Sequence, residues 1–368
     1  MDLQIRLDQE RGAYTEKDTV SGHLFLRNKV PVNISTITVK LSGIATSRLS
    51  SGKYVESHQL FQRFQNVFPP HKMTETPVSK SLTVGPGTHI FPFSLTFPST
   101  SECHKISLDE AKPNPSCTGF LYRKNKAHHL LRRLPPSTGD TLSPWEVRYF
   151  LDVTVTKTGI LKGVSSWQTR NILFYPVPDF SLPKNILGRR CLLSINHDSS
   201  SPCSPLAYQV DVELLNGQCL LLGYPIPLKI KLTKVGDREC FVWLNDFQTM
   251  LVGSTETHAS GLVEKDTQFQ VIQTMTNIHH VVCHDGASNG AELSIGDSLW
   301  KKHRLPIALT PSFETCNISQ TYKLEVRLGL QSGYSKFRTT ILEFSFPVYL
   351  TPPPMDPDPY EAKSAKLF

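Results

Sequence analysis

Basic side chains crowd one stretch of this 368-residue chain. Between Cys103 and Leu134, seven of the nine Lys, Arg, Asp and Glu residues are basic: Lys105, Lys112, Arg123, Lys124, Lys126, Arg132 and Arg133. Ammonium and guanidinium groups gathered this way recognise anions, so these seven are the candidate contact for anionic phospholipid or acidic protein tails. Near an anionic leaflet each such charge contributes about 1 kcal/mol, an attraction that salt weakens. The excess belongs to the first half of the chain. Through Phe180 there are 22 Lys and Arg against 14 Asp and Glu, and after it 17 against 18.

Other reactive residue types are present without a pattern that uses them. Cys103, His104, Cys117 and His128 could converge on zinc, but their spacing fits no common zinc module, and no metal ligand is assigned. His128-His129 and His279-His280 are adjacent pairs, and neighbours on a strand or helix point in different directions. There is no Gly-rich phosphate loop, G-x-S-x-G elbow, H-E-x-x-H or calcium loop, so no catalytic residue and no cofactor is assigned. Lys and Arg are not interleaved with exposed aromatics, which argues against nucleic acid. Phe91, Phe93 and Phe97 alternate with polar residues and read as core.

The elements that must carry these residues are strands. Apolar residues take every second place in Ile37-Thr38-Val39-Lys40-Leu41, in Phe91 to Phe97, and in Val147/Tyr149/Leu151/Val153/Val155. The same period returns in Val210/Val212/Leu214, Leu228/Ile230/Leu232, Tyr322/Leu324/Val326/Leu328 and Leu342/Phe344/Phe346/Val348/Leu350. That is the signature of strands with one buried face. With turn residues between them and no ten-residue helical pattern, they predict an all-β fold of antiparallel sandwiches. The run Tyr175-Pro176-Val177-Pro178-Asp179-Phe180-Ser181-Leu182-Pro183 is a stiff connector and a natural boundary. The expected organisation is an N-terminal sandwich over 1–178 with the basic insert 99–133, a C-terminal sandwich over 179–351, and a disordered Pro-rich tail over 352–368. Part of the insert, Phe120 to Leu131, could form a short amphipathic helix.

No run of apolar residues is long enough for a membrane-spanning helix, and Met1-Asp2-Leu3-Gln4 is not a secretory leader, so a cytoplasmic protein is expected. Eight scattered cysteines without a C-x-x-C pair fit that compartment, Cys219 before Leu220-Leu221-Leu222 reading as a core thiol. The sequons Asn33-Ile34-Ser35 and Asn317-Ile318-Ser319 read as accidental.

Taken in order, several segments resemble the arrestin family, specifically its fungal α-arrestin type. Tyr14-Thr15-Glu16-Lys17-Asp18-Thr19-Val20-Ser21-Gly22 is similar to the opening Y-x-x-G-D-x-V-x-G, with Lys17 where glycine is usual. Ile37 to Thr46 is similar to I-x-V-x-L-x-G-x-x-x-T. Phe91-Pro92-Phe93-Ser94-Leu95-Thr96-Phe97-Pro98, followed by Leu134-Pro135-Pro136-Ser137, is similar to F-P-F-x-F-x-L-P … L-P-x-S, and Val147 to Val153 to I-x-Y-x-L-x-A. Leu221 to Leu228 and Gln320 to Val326 resemble opening and closing strands of the C-domain. The likeness runs from about Leu3 to Leu350, interrupted by the basic insert.

The resemblance implies two arrestin-type, immunoglobulin-like sandwiches joined by a short hinge. It also implies a non-catalytic trafficking adaptor that binds cytosolic tails of membrane transporters or receptors. Such a protein links them to ubiquitin ligase and endocytosis, and is recruited peripherally to plasma membrane or endosomes. Many α-arrestins carry P-P-x-Y, which a WW-domain HECT-type ligase reads. Here Pro69-Pro70, Pro135-Pro136 and Pro353-Pro354 lack the tyrosine. Pro357-Asp358-Pro359-Tyr360 has the ring but not the second proline, so Pro357, Pro359 and Tyr360 form a degenerate docking candidate. Two rival readings remain. One is a coat or sorting scaffold similar to the retromer arrestin-fold subunit, without ligase docking. The other is a carbohydrate-type hydrolase or secreted binding sandwich.

Overall fold

The computed structural model describes residues 1–69, 82–103, 133–157, 164–177, 185–195, 206–235, 241–283, 286–333 and 339–353. Most of the basic insert, the candidate helix over Phe120 to Leu131 and nearly all of the tail lie outside them. Strands fill the described residues, among which no helix is long and apolar enough to cross a membrane. The fold is all-β, built as tandem, mainly antiparallel sandwiches, and contacts divide it into two compact units.

The first unit comprises Met1–Val177 together with Glu256–Glu264 and Phe313–Ser319. Its strands are β1 (Asp2–Leu7), β2 (Thr19–Asn28), β3 (Val32–Leu49), β4 (Tyr54–Phe68), β5 (Leu82–Val84), β6 (Gly87–Thr96), β7 (Thr138–Gly139), β8 (Trp145–Lys157) and β9 (Val164–Ile172). One sheet has the order β1-β2-β6; the other runs β4-β3-β8-β7, with β5 on β3 and β9 on β8. The period-2 pattern sets which side chains fill the space between them. Val20, Leu24 and Leu26 of β2 meet Val39 and Leu41 of β3 and Leu151 and Val153 of β8 in one core, which also takes in Phe313 and Ile318.

An aromatic cluster lies at the heart of that core. Phe97 sits 5.5 Å from Phe61, 5.7 Å from Tyr149 and 5.0 Å from Phe174, centroid to centroid. Tyr149 is fully buried, and its hydroxyl donates to the Pro135 carbonyl at 2.7 Å. A buried phenol without an acceptor would cost about 1–3 kcal/mol, so the Leu134-Pro135-Pro136 segment has to pass this point. Gly43 on β3 faces the same ring. A Cβ there would lie 2.6 Å from Tyr149 Cε1, so the aromatic occupies the space a side chain would need.

The turn before β2 accounts for the opening segment. Asp18 accepts from the Thr15 backbone N–H at 2.7 Å and its Oγ1 at 3.0 Å, while the Asp18 carbonyl accepts from Phe97 N at 2.9 Å. Lys17, which stands where the motif it resembles has glycine, holds a left-handed φ of 68°.

The second unit is Pro178–Thr255, Lys265–Ser312 and Gln320–Phe368. Its sequence supplies β10 (Leu187–Ile195), β11 (Leu206–Leu214), β12 (Cys219–Leu221), β13 (Leu228–Val235), β14 (Val242–Ala259), β15 (Leu262–Met275), β16 (His280–Cys283) and β17 (Glu292–Ile295). β18 (Phe313–Glu314), β19 (Ile318–Ser332) and β20 (Thr339–Thr351) complete the order; the outer parts of β14, β15 and β19 and all of β18 fall in the first unit. The sheets run β10-β11-β13-β17 and β12-β20-β19-β14-β15. β12 joins β20 in parallel, the one such pair of named strands among the described registers. Leu324, Val326 and Leu328 pack with Val210, Val212, Ile230 and Phe346, and the buried Trp300 donates its Nε1–H to the Leu228 carbonyl at 3.1 Å. Cys219 is half-buried rather than core, because alternation along β12 turns Leu220 inward instead. Pro352 stays buried past the end of β20, so the packed residues run past 351.

Two substitutions probe this geometry in opposite directions. Gly43→Ala must displace Tyr149 and is expected to cost about 1–3 kcal/mol. Lys17→Gly relieves a left-handed lysine and is expected to stabilise by about 0.5–1 kcal/mol. Denaturant midpoints at unchanged slope read both.

Candidate functional site

Among the seven predicted anion contacts, Arg133 alone is described; Lys105, Lys112, Arg123, Lys124, Lys126 and Arg132 lie outside the described residues, as do Pro357, Pro359 and Tyr360. Arg133 is engaged within the first unit. Its Nε and Nη2 reach Glu16 Oε1 at 3.1 and 2.6 Å, and Nη2 also donates to the Val177 carbonyl at 2.5 Å. Glu16 Oε2 accepts from the Val177 N–H at 2.8 Å. This guanidinium therefore ties the opening turn to the chain leaving the unit, and its charge is neutralised locally.

The strongest convergence of reactive groups in the described residues is one that the sequence does not signal: His58, Cys103 and Cys316. Each is placed by a separate local cause. On β4, the register slips opposite Gly43 and Ile44, so Leu60 is an extra residue between Gln59 and Phe61. Such a bulge lets successive side chains turn inward and leaves a carbonyl outside the ladder. Leu60 and Phe61 are both buried, and the Leu60 carbonyl accepts from Glu102 N at 2.6 Å and Ser101 Oγ at 3.2 Å. Arg63, further along β4, clamps Glu102 with two parallel contacts of 2.5 and 2.9 Å. Segment 101–103 is thereby laid against β4, which sets Cys103 Sγ 3.5 Å from His58 Nδ1.

Cys316 arrives on the turn into β19. Thr315 N donates to the Ile318 carbonyl at 2.7 Å, and Ile318 N donates to Thr315 Oγ1 at 2.9 Å. The next side chain, Asn317, is fully buried, and its Nδ2 lies 3.2 Å from the Ala45 carbonyl, 3.1 Å from Ser47 Oγ and 3.2 Å from the Glu56 carbonyl. That burial also makes the second sequon unusable in the folded protein. The Ala259–Leu262 turn adds a further tie: Ser47 Oγ donates to the His258 carbonyl at 2.5 Å, and Ser260 N donates to Glu56 Oε2 at 2.9 Å.

Within the cluster the donor atoms all lie within 4.8 Å of one another. His58 Nε2 points away from the thiols and meets Glu56 Oε1 at 2.7 Å. Burial lowers the imidazole pKa, but hydrogen bonds with Cys316 and Glu56 outweigh it, and the net shift is upward. The Cys103 thiol is pushed well above its ordinary value, first by its hydrogen bond with Cys316 and then by burial. Cys103, His58 and Glu56 share the order of contacts of a thiol–imidazole–carboxylate triad. A thiol 5% exposed and held in its protonated form is nevertheless a poor nucleophile. What the arrangement offers instead is a compact set of soft donors.

Of these residues only Cys103 entered the sequence-based zinc set; His104, Cys117 and His128 lie outside the described residues. Glu56-x-His58 was detectable as an i, i+2 pair on one strand face, yet Glu256-x-His258 makes the same pair at 2.9 Å and joins no such cluster among the described residues. Nothing local marks Cys316.

Compared with known protein families, residues 3–113 match the model of the arrestin (or S-antigen) N-terminal domain. That span covers β1 to β6 and ends ten residues beyond Cys103. No curated protein matches the chain.

Asn317→Ala removes the donor that two buried acceptors and one partly buried acceptor share. It is expected to destabilise the protein by about 1–3 kcal/mol in chemical denaturation.

Proposed function

We propose that this protein is an arrestin-type trafficking adaptor of the α-arrestin kind. The observation that carries the reading is the match of residues 3–113 to the arrestin N-terminal domain. The edge-to-face contact of Phe97 with Tyr149, and the Tyr149–Pro135 hydrogen bond, give the segments that resemble the family a shared physical role. On this reading the protein is a non-catalytic platform. It binds cytosolic tails of membrane transporters or receptors, works in the cytoplasm, and is recruited to plasma membrane or endosomes. It brings those cargoes to a WW-domain HECT-type ubiquitin ligase and so to endocytosis. The basic insert supplies electrostatic attraction to acidic tails and anionic phospholipid.

One observation favours a second reading. No P-P-x-Y is present, and Pro357-Asp358-Pro359-Tyr360 lacks the proline that would pack in a WW groove. A coat or sorting scaffold similar to the retromer arrestin-fold subunit needs no such motif. Proximity labelling of the full chain in cells separates the two. Ligase and transporters among the labelled proteins support the adaptor, whereas coat subunits without ligase support the scaffold.

The membrane contribution has its own test. Neutralising Arg123, Lys124, Lys126 and Arg132 to Gln together is expected to weaken binding to vesicles rich in anionic lipid, with the difference shrinking as salt rises. Arg133→Gln, in contrast, is expected to leave vesicle binding close to that of the parent and to lower the unfolding midpoint, because its charge serves Glu16. Unchanged binding after the fourfold replacement removes the membrane role.

A further inference from the structure

We infer that His58, Cys103 and Cys316 form a zinc site that staples three distant segments of the first unit. The inference stands apart from the adaptor reading and does not depend on it. Two thiols and an imidazole are a donor set that Zn²⁺ prefers over the hard cations. Zinc binds sulfur at about 2.3 Å and nitrogen at about 2.0–2.1 Å, which sets tetrahedral donors roughly 3.5–3.8 Å apart. Cys103 Sγ and His58 Nδ1 already stand at 3.5 Å, and the widest separation in the cluster is no more than 4.8 Å. Small side-chain rotations close the remainder. The fourth tetrahedral position lies outside this donor set.

The surroundings fit the metal better than the other chemistry available to paired thiols. A Cys103–Cys316 disulfide would leave the placement of His58 and Glu56 without a purpose. A metal uses both. Nδ1 faces the sulfurs while Nε2–H is held by the Glu56 carboxylate at 2.7 Å, the carboxylate–histidine–metal relay that fixes the tautomer and raises ligand basicity. Glu56 is itself fixed by Ser260 N at 2.9 Å. The three ligands are held by contacts that involve no metal: the Leu60 bulge and Arg63–Glu102 for segment 101–103, Asn317 for Cys316. Coordination replaces the thiol protons. Zn²⁺ enters, Cys103 and Cys316 lose one proton each to the buffer, neutral His58 gives its Nδ1 lone pair, and the centre carries no net charge.

The test uses the full chain, purified under reducing conditions and stripped with chelator, then titrated with Zn²⁺ or Co²⁺ alone. The expected result is uptake of an ion that raises the unfolding midpoint. Cobalt should give the intense visible bands of a tetrahedral centre and a near-ultraviolet thiolate charge-transfer band. Cys316→Ser and Cys103→Ser should each lose both the midpoint rise and the charge-transfer band, while Cys191→Ser keeps them. Glu56→Gln should bind about 10–100-fold more weakly. If a serine variant fails to fold, Glu56→Gln still carries the test, since only a relay to the metal predicts its weaker binding. No uptake, uptake that survives Cys316→Ser in a folded variant, or a Cys103–Cys316 disulfide in protein taken from reducing cells would each overturn the inference.

Discussion

A single buried amide holds the first unit together at its most distant seam. Asn317 has no exposure to solvent, and its Nδ2 faces the Ala45 carbonyl, Ser47 Oγ and the Glu56 carbonyl. Each of those groups, left unpaired in the interior, would carry a desolvation cost, so the 313–319 segment is bound by polar satisfaction as much as by the apolar contacts of Phe313 and Ile318. The position of Cys316 follows from that anchorage. So does the local order of Glu56, whose backbone accepts from Asn317 and whose carboxylate holds His58.

The sandwich itself was legible in the sequence because one variable, the side to which each side chain points, determines it. Val39, Leu41, Leu151 and Val153 are apolar at every second place, and all four are in the core. The resemblance segments were also readable, and the structure shows what they do: the Pro135 carbonyl receives the Tyr149 hydroxyl, and Gly43 leaves room for that ring. The His58–Cys103–Cys316 cluster was not readable for a different reason. Its members sit on a bulged strand, a segment past β6 and a turn before β19, and what joins them is long-range packing. An alternating pattern cannot announce a bulge such as Leu60, since both Leu60 and Phe61 are apolar and either could be the one turned inward.

The same limit explains Arg133. As a member of a basic run it looked identical to Arg132, and charge density alone gave no means to separate them. What the run could not show is Glu16, which lies in the turn before β2 and takes the Arg133 guanidinium at 2.6 Å. Charge along a sequence measures what a segment could attract. Only the pairing decides which of those charges remains available to a partner.

The first unit is discontinuous along the chain, closing only with Glu256–Glu264 and Phe313–Ser319. A ribosome delivers residues in order, at about 5–20 per second, so the stretch through Val177 waits on the order of ten seconds for the segment bearing Phe313, Asn317 and Ile318. During that interval the emerging polypeptide presents an unfinished apolar face and lacks the Asn317 amide that later meets Ala45, Ser47 and Glu56. The lobe begun first stays unsealed while most of the second is being made, and its biogenesis is therefore where nascent-chain chaperones would have much to protect.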